Sequence, residues 1–230
     1  MERLQKKISS LGYCSRRHAE ELISKGLVEV NGEVVTKLGT TVKPGDIISV
    51  EGNILDNSRS FEYYLLNKPQ GCISATQDAN YPTVMDFVFP IRNDCAPVGR
   101  LDLDTEGALL ITNDGKLSHK LLSAKHHVPK KYYVEVENKL PGDAKERFSQ
   151  PMEFEEFTSL PATYLAIDDT HAYLTIVEGK YHQVKRMFER IGCPVTFLKR
   201  VEFGFLNLDG LPTGEVRELS SEEVEKLQSY

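Results

Sequence analysis

The sequence predicts an α+β fold in two parts. A small α/β unit occupies residues 1–58, and a larger domain with a mostly antiparallel mixed sheet occupies 59–230. Three observations predict it. Residues 28–35, Val-Glu-Val-Asn-Gly-Glu-Val-Val, alternate valines about Asn31-Gly32, a pair suited to a type I′ hairpin turn. Residues 51–60 are polar and turn-rich and read as a linker. Beyond them, β-rich runs at 63–66, 132–136, 173–177 and 194–198 interleave with helical stretches without a regular βαβ rhythm.

The elements follow in order. Met1, Leu4, Ile8 and Leu11 have helical spacing. Ser15 is placed to cap a second helix over 16–25, with Ala19, Leu22 and Ile23 inward and Gly26 as its C′ residue. Lys43-Pro-Gly-Asp46 is a second turn, ahead of Ile47, Ile48 and Val50. Arg3, Lys6, Lys7, Arg16, Arg17 and Lys25 fall on the exposed side of the helical pair. In the larger domain, residues 182–190 read as a helix ending at Gly192, with Val184, Met187, Phe188 and Ile191 as its apolar face.

Composition excludes several classes. At 40% hydrophobic and 27% charged the chain is ordinary for a globular domain. No apolar run approaches the ~20 residues that span a bilayer. The N-terminus lacks the apolar core of a signal peptide, so a cytoplasmic location is expected. Cys14, Cys72, Cys95 and Cys193 are scattered, without Cys-x-x-Cys pairing, which reads as reduced thiols rather than zinc or disulfides. His119, His126 and His127 do not make a metal set, and no metal is expected. The net charge of −6 conceals segregation: residues 116–131 and 179–200 each carry +5, whereas 141–178 carry −6 and 202–230 carry −5. Local fields, not the total, attract phosphates.

One stretch concentrates chemistry. Gly99-Arg-Leu-Asp-Leu-Asp-Thr-Glu-Gly107, followed by Ala-Leu-Leu-Ile-Thr-Asn-Asp-Gly115, sets Arg100, Asp102, Asp104 and Glu106 beside an apolar run. A charged cluster against a buried element is the pattern of a carboxylate-centred site. A calcium loop fits the stretch poorly, because its fifth and twelfth positions hold Glu106 and Asn113 and its middle is apolar. The plainer alternative is a turn of solvated carboxylates feeding a strand. If 100–104 are extended, Arg100, Asp102 and Asp104 point to one side. From the residues alone, Asp102 and Asp104 stand as equal candidates for the working carboxylate.

This stretch resembles the catalytic motif of RNA pseudouridine synthases of the RsuA branch, and further segments match that family in the same order. They are Leu65-Leu-Asn-Lys-Pro-Gln-Gly71, Lys130-Lys-Tyr-Tyr-Val134 and Glu178-Gly-Lys-Tyr-His-Gln-Val-Lys-Arg-Met-Phe188. The N-terminal part is similar to the αL RNA-binding module of small-subunit ribosomal protein four. That likeness rests on Arg3-Leu4, Gly12-x-x-Ser15-Arg16, Gly26-x-Val28-x-Val30-Asn31-Gly32 and Pro44-Gly45-Asp46.

The resemblance implies isomerisation of uridine to pseudouridine in ribosomal RNA. That reaction needs an ionised carboxylate near C1′ and a base taken out of its stack, with no redox step or cofactor. It makes Asp102 the catalytic carboxylate. It gives Arg100 a phosphate contact or the bracing of the displaced nucleotide, Tyr132 the stacking surface, and Lys185 the cation paired with the carboxylate. A cation within ~4–6 Å favours the charged form of such a carboxylate. Tyr133 is the alternative aromatic if the strand register slips by one. Lys180–Phe188 and Ser123-Ala-Lys-His-His127 look more like the small-subunit (16S) enzyme than its large-subunit (23S) siblings. The implied partner is ribosomal RNA or an assembling small subunit, with no membrane and a monomeric chain. A large-subunit enzyme and a non-catalytic RNA-binding assembly factor are the alternatives. Asp102, Tyr132 and Lys185 together speak against the second.

Overall fold

A computed structural model describes residues 1–55, 61–88 and 94–230. The expected linker therefore lies, at 56–60, outside the described residues. The chain forms two compact units. One is built on Met1–Glu62 and takes in Thr112–Gly115; the other holds Tyr63–Phe89, Ala96–Ile111 and Lys116–Tyr230.

In the first unit, helices Leu4–Ser10 and Arg16–Ser24 pack beside a four-stranded antiparallel sheet. The strand order is Glu33–Val34, Val28–Val30, Ile48–Val50, Asn53–Ile54. Ser15 caps the second helix, its Oγ accepting from the His18 N–H at 3.2 Å. Asn31 and Gly32 have φ of 55° and 83°, the two positive values a type I′ turn requires. Leu4, Ile8, Ala19, Ile23, Val28 and Val50 are fully buried and form the centre of the core. Met1 is a correction: it is 85% exposed, because the chain first pairs Glu2–Arg3 with Thr41–Val42 and the helix starts only at Leu4. Of the six expected basic residues, Arg3, Arg16, Arg17 and Lys25 are exposed. Lys6 and Lys7 are half-buried, and Lys6 pairs with Glu2 at 3.1 Å.

The second unit is organised by a mixed sheet whose main path runs Thr163–Ala166, His171–Ile176, Lys130–Val136, Val195–Phe203, Thr105–Thr112, Tyr63–Lys68, Val216–Glu218. Lys130–Val136 is antiparallel to both its neighbours, whereas Thr105–Thr112 and Val195–Phe203 run parallel. Lys130, Tyr132, Val134 and Val136 are buried and the residues between them are not, the period-2 pattern of a strand with one covered face. Val195–Phe203 runs five residues past the expected end, because Lys199–Phe203 finds partners on Lys130–Tyr133. A register shift there, where Lys131 faces Glu202 and Tyr132 faces Arg200, is a β-bulge. It leaves Arg200 and Phe203 buried on one face despite their odd spacing.

Helix Gln183–Arg190 buries Val184, Met187 and Phe188, with Ile191 directly after it, as its spacing predicts. Phe188 packs on Phe148 with ring centroids 4.8 Å apart, and burying such a ring contributes about 2–3 kcal/mol. This anchors the helix whose first turn reaches the candidate site. No helix among the described residues is long and apolar enough to cross a membrane.

Candidate active site

Residues 103 and 104 form a turn, so the expectation of an extended run does not hold through to residue 104. Residues Asp102–Thr105 close a turn, the Thr105 N–H donating to the Asp102 carbonyl at 3.1 Å. The cause is non-local. Lys68, fully buried at the end of its strand, donates from Nζ to the carbonyls of Asp102 (2.9 Å), Thr105 (3.0 Å) and Pro69 (3.0 Å). All three ammonium protons are thus committed, two of them to the turn. Burial lowers the Lys68 pKa, and the nearby Cys72, Asp102, Asp104 and Glu106 oppose that shift. Ser74 Oγ accepts from the Leu101 N–H and donates to the Leu101 carbonyl, both at 2.9 Å. The Gly71 N–H holds the Leu103 carbonyl at 2.9 Å.

The turn aims both carboxylates at one lysine. Lys185 Nζ lies 2.6 Å from Asp104 Oδ1 and 3.4 Å from Asp102 Oδ2. His182 Nε2 approaches the same Asp102 oxygen at 3.6 Å. Burial pushes the Asp104 carboxyl up, but the hydrogen bond and charge of Lys185, its own backbone N–H and His182 hold it below its ordinary value. His182 caps helix Gln183–Arg190 with a φ of 50°, a conformation rare for a non-glycine residue, and stacks on Tyr181 at 3.9 Å between centroids. Strain of this kind clusters at functional sites.

Asp102 opens onto a cavity of about 140 Å³, also lined by Arg100, Tyr132, Lys185 and His182. The structure thus brings together Asp102, Arg100, Tyr132 and Lys185, the four residues singled out by sequence for this part of the chain. Arg100 is exposed at the rim. Tyr132 faces the cavity, whereas Tyr133 turns to the opposite face of the sheet, among His171, Tyr173 and Phe197.

The sheet supplies the cavity floor, and here sequence reasoning missed residues. Lys130, Thr105, Leu198 and Arg200 all line it. Lys130 and Arg200 are 7% and 2% exposed. Arg200 Nε donates to the Ala108 carbonyl at 2.7 Å across the parallel pair. Gly107 allows that approach: its φ is 114°, and a Cβ there would lie 2.2 Å from the Arg200 carbonyl oxygen. The usable signal was Gly107, an isolated glycine inside a strand pattern, which marks close backbone contact. Among the described residues no cluster of three or more His, Cys, Asp or Glu could hold a metal.

Comparison with known proteins fits this architecture to a family. Residues 62–190 match the model of the RNA pseudouridylate synthase family, and residues 2–48 match the S4 domain. "Ribosomal large subunit pseudouridine synthase B" of Bacillus subtilis (strain 168) is 44% identical, over 100% of this chain and 96% of its own length. "Ribosomal small subunit pseudouridine synthase A" of Escherichia coli (strain K12) is 38% identical over 96% of this chain and 98% of its own. A crystal structure of a pseudouridylate synthase superposes with a TM-score of 0.74 at 35% identity, covering 99% of this chain and all of that one. The chain belongs to the RNA pseudouridylate synthase family, with an S4 domain at its N-terminus. It is an RNA pseudouridine synthase, an isomerase, whose homologues include both the large-subunit and the small-subunit enzymes of ribosomal RNA.

Proposed function

We infer that this chain isomerises one uridine of ribosomal RNA to pseudouridine, with Asp102 as the catalytic carboxylate. The observation that carries the reading is the Asp102 carboxylate on the cavity wall, 3.4 Å from Lys185 Nζ, in a chain of this family. The carboxylate engages the ribose at C1′ as the N1–C1′ bond breaks, and the base turns and re-bonds through C5. Lys185 orients the carboxylate. Tyr132 offers its ring to the extruded base, since an aromatic face supports an unstacked base without reading its sequence. Arg100, at the exposed rim, contacts phosphate or braces the displaced nucleotide. The N-terminal domain, taken as 1–58, adds backbone contacts through Arg3, Lys6, Lys7, Arg16, Arg17 and Lys25.

The target subunit has two readings. The likeness of Lys180–Phe188 and Ser123–His127 to the small-subunit enzyme favours 16S RNA, free or in an assembling particle. The 44% identity with a relative named as a large-subunit enzyme favours 23S RNA. Chemical mapping of pseudouridines in ribosomal RNA from cells with and without this protein decides. Loss of one small-subunit site supports the first reading, and loss of one large-subunit site supports the second. Unchanged maps in both RNAs contradict a ribosomal target.

A further inference from the structure

Two cations on the cavity floor take no part in the chemistry assigned to Asp102, Tyr132, Arg100 and Lys185. Lys130, Tyr132 and Arg200 are buried on one face of adjacent strands, with Tyr132 directly opposite Arg200 in register. Phe203 lies under both cations, its ring centroid 5.1 Å from the Arg200 guanidinium carbon and 5.6 Å from Lys130 Nζ. Arg200 Nη2 is fully buried and has no hydrogen-bond partner among the described residues, and Thr105 Oγ1 on the same floor is equally unpartnered. A buried donor without an acceptor costs stability, and a guanidinium costs more than a neutral group. Arg200 is among the residues that line the cavity beside Asp102, and a donor left unpaired there calls for an acceptor that a bound group can bring.

We propose that Arg200 Nη2 and the Lys130 ammonium, which gives one of its three protons to the Val128 carbonyl at 2.8 Å, together hold one carbonyl oxygen of the target uracil, O2 or O4, at the floor of the site. The proposal rests on the uridine-isomerising reading above. A base oxygen suits this floor better than a phosphate does. The floor is buried and partly apolar, with Leu198 in its lining and Phe203 beneath the two cations, whereas the exposed Arg100 and Lys180 stand at the rim where a hydrated phosphate can reach them.

The chemistry calls for such a group. When N1–C1′ breaks, the bonding pair stays with N1 and spreads onto O2 and O4. When C5 bonds to C1′, the C5 proton leaves, N1 regains a proton, and the ring is neutral again. Fixed donors aimed at those oxygens stabilise the detached base while it turns. Burial pushes the Lys130 ammonium down to about 8, with Arg200 adding to the shift and Glu178 opposing it, so its charge is held close to neutral pH. If the oxygen held is O4, the same donors reject cytosine, whose amino group occupies that position; if it is O2, they do not distinguish the two bases.

The test is single-turnover release of tritium from C5 of the target uridine, under saturating RNA, with uridine, 2-thiouridine or 4-thiouridine at that position. Sulfur accepts hydrogen bonds poorly. The expected result is a wild-type rate that falls at least tenfold with one thio-substitution and little with the other. Lys130→Met and Arg200→Lys should each lower the uridine rate, by on the order of 100-fold for Lys130→Met, while RNA affinity changes less than about twofold. In both variants the thio penalty should shrink towards unity. A wild-type enzyme indifferent to both thio-substitutions overturns the proposal without recourse to any variant. So do variants that bind RNA weakly but keep the saturated rate and the thio penalty, the signature of a phosphate contact. If the wild type turns over no ribosomal RNA at all, the underlying reading fails and this one falls with it.

Discussion

Asp104, not Asp102, makes the tighter contact with Lys185, at 2.6 Å against 3.4 Å. The Asp104 side chain is 68% exposed and that of Asp102 36%, so solvent screens the closer pair more. In the proposed reading, Asp104 holds Lys185 in place and Asp102, on the cavity wall, is the working carboxylate. Asp104→Asn is expected to lower saturated turnover by no more than about tenfold, whereas Lys185→Met, which frees both carboxylates, lowers it by roughly 100-fold. Single-turnover rates at saturating RNA check the order. Lys130 gives a pH test with a definite sign. Its folded pKa of about 8 lies below the ordinary 10.5, so between those values the unfolded chain holds a proton that the folded one has lost. Stability then rises with pH across that window, and the full cost of the buried charge is present below it. Lys130→Met removes that cost. Its stability relative to wild type should be greatest at pH 7 and diminish by up to about 3 kcal/mol towards pH 10. Denaturant melts at the two pH values measure this, and a constant difference contradicts it.

At the scale of elements, the parallel pair Thr105–Thr112 and Val195–Phe203 positions the floor, and Gly107 permits it. Gly107→Ala would force a Cβ to within 2.2 Å of a backbone oxygen at a φ of 114°. A loss of at least about 3 kcal/mol in urea unfolding is expected, large for one methyl group. What was legible in the sequence was local. The Asn31-Gly32 turn, the Ser15 cap and the apolar face of Gln183–Arg190 each depend on neighbours within a few residues, and each forms as the residues predict. What was not legible depends on distant partners. The turn at Asp102–Thr105 is imposed by Lys68 from another strand, and the bulge that buries Arg200 with Phe203 needs the register against Lys130–Val136. Alternation along one strand put Tyr132 and Tyr133 on opposite faces, yet only the assembled sheet decides which face carries the cavity.

For the whole molecule, the charge segregation matters more than the net −6. The cavity wall carries Arg100, Lys180 and Lys185, and the S4 domain carries exposed Arg3, Arg16, Arg17 and Lys25. Removing residues 1–58 should leave turnover at saturating RNA close to intact, weaken RNA binding, and flatten the fall of affinity with salt, because fewer phosphates are neutralised. Equal salt slopes for the full and shortened chains contradict a binding role for those residues. Whether Asp102 drives a uridine isomerisation in ribosomal RNA is decided with purified protein. Ribosomal RNA from cells lacking this protein is incubated with wild type or Asp102→Asn, and pseudouridines are mapped at single-nucleotide resolution. One new site is expected with the wild type and none with Asp102→Asn, while both proteins bind the RNA alike. A site formed equally by the Asp102→Asn variant would contradict it.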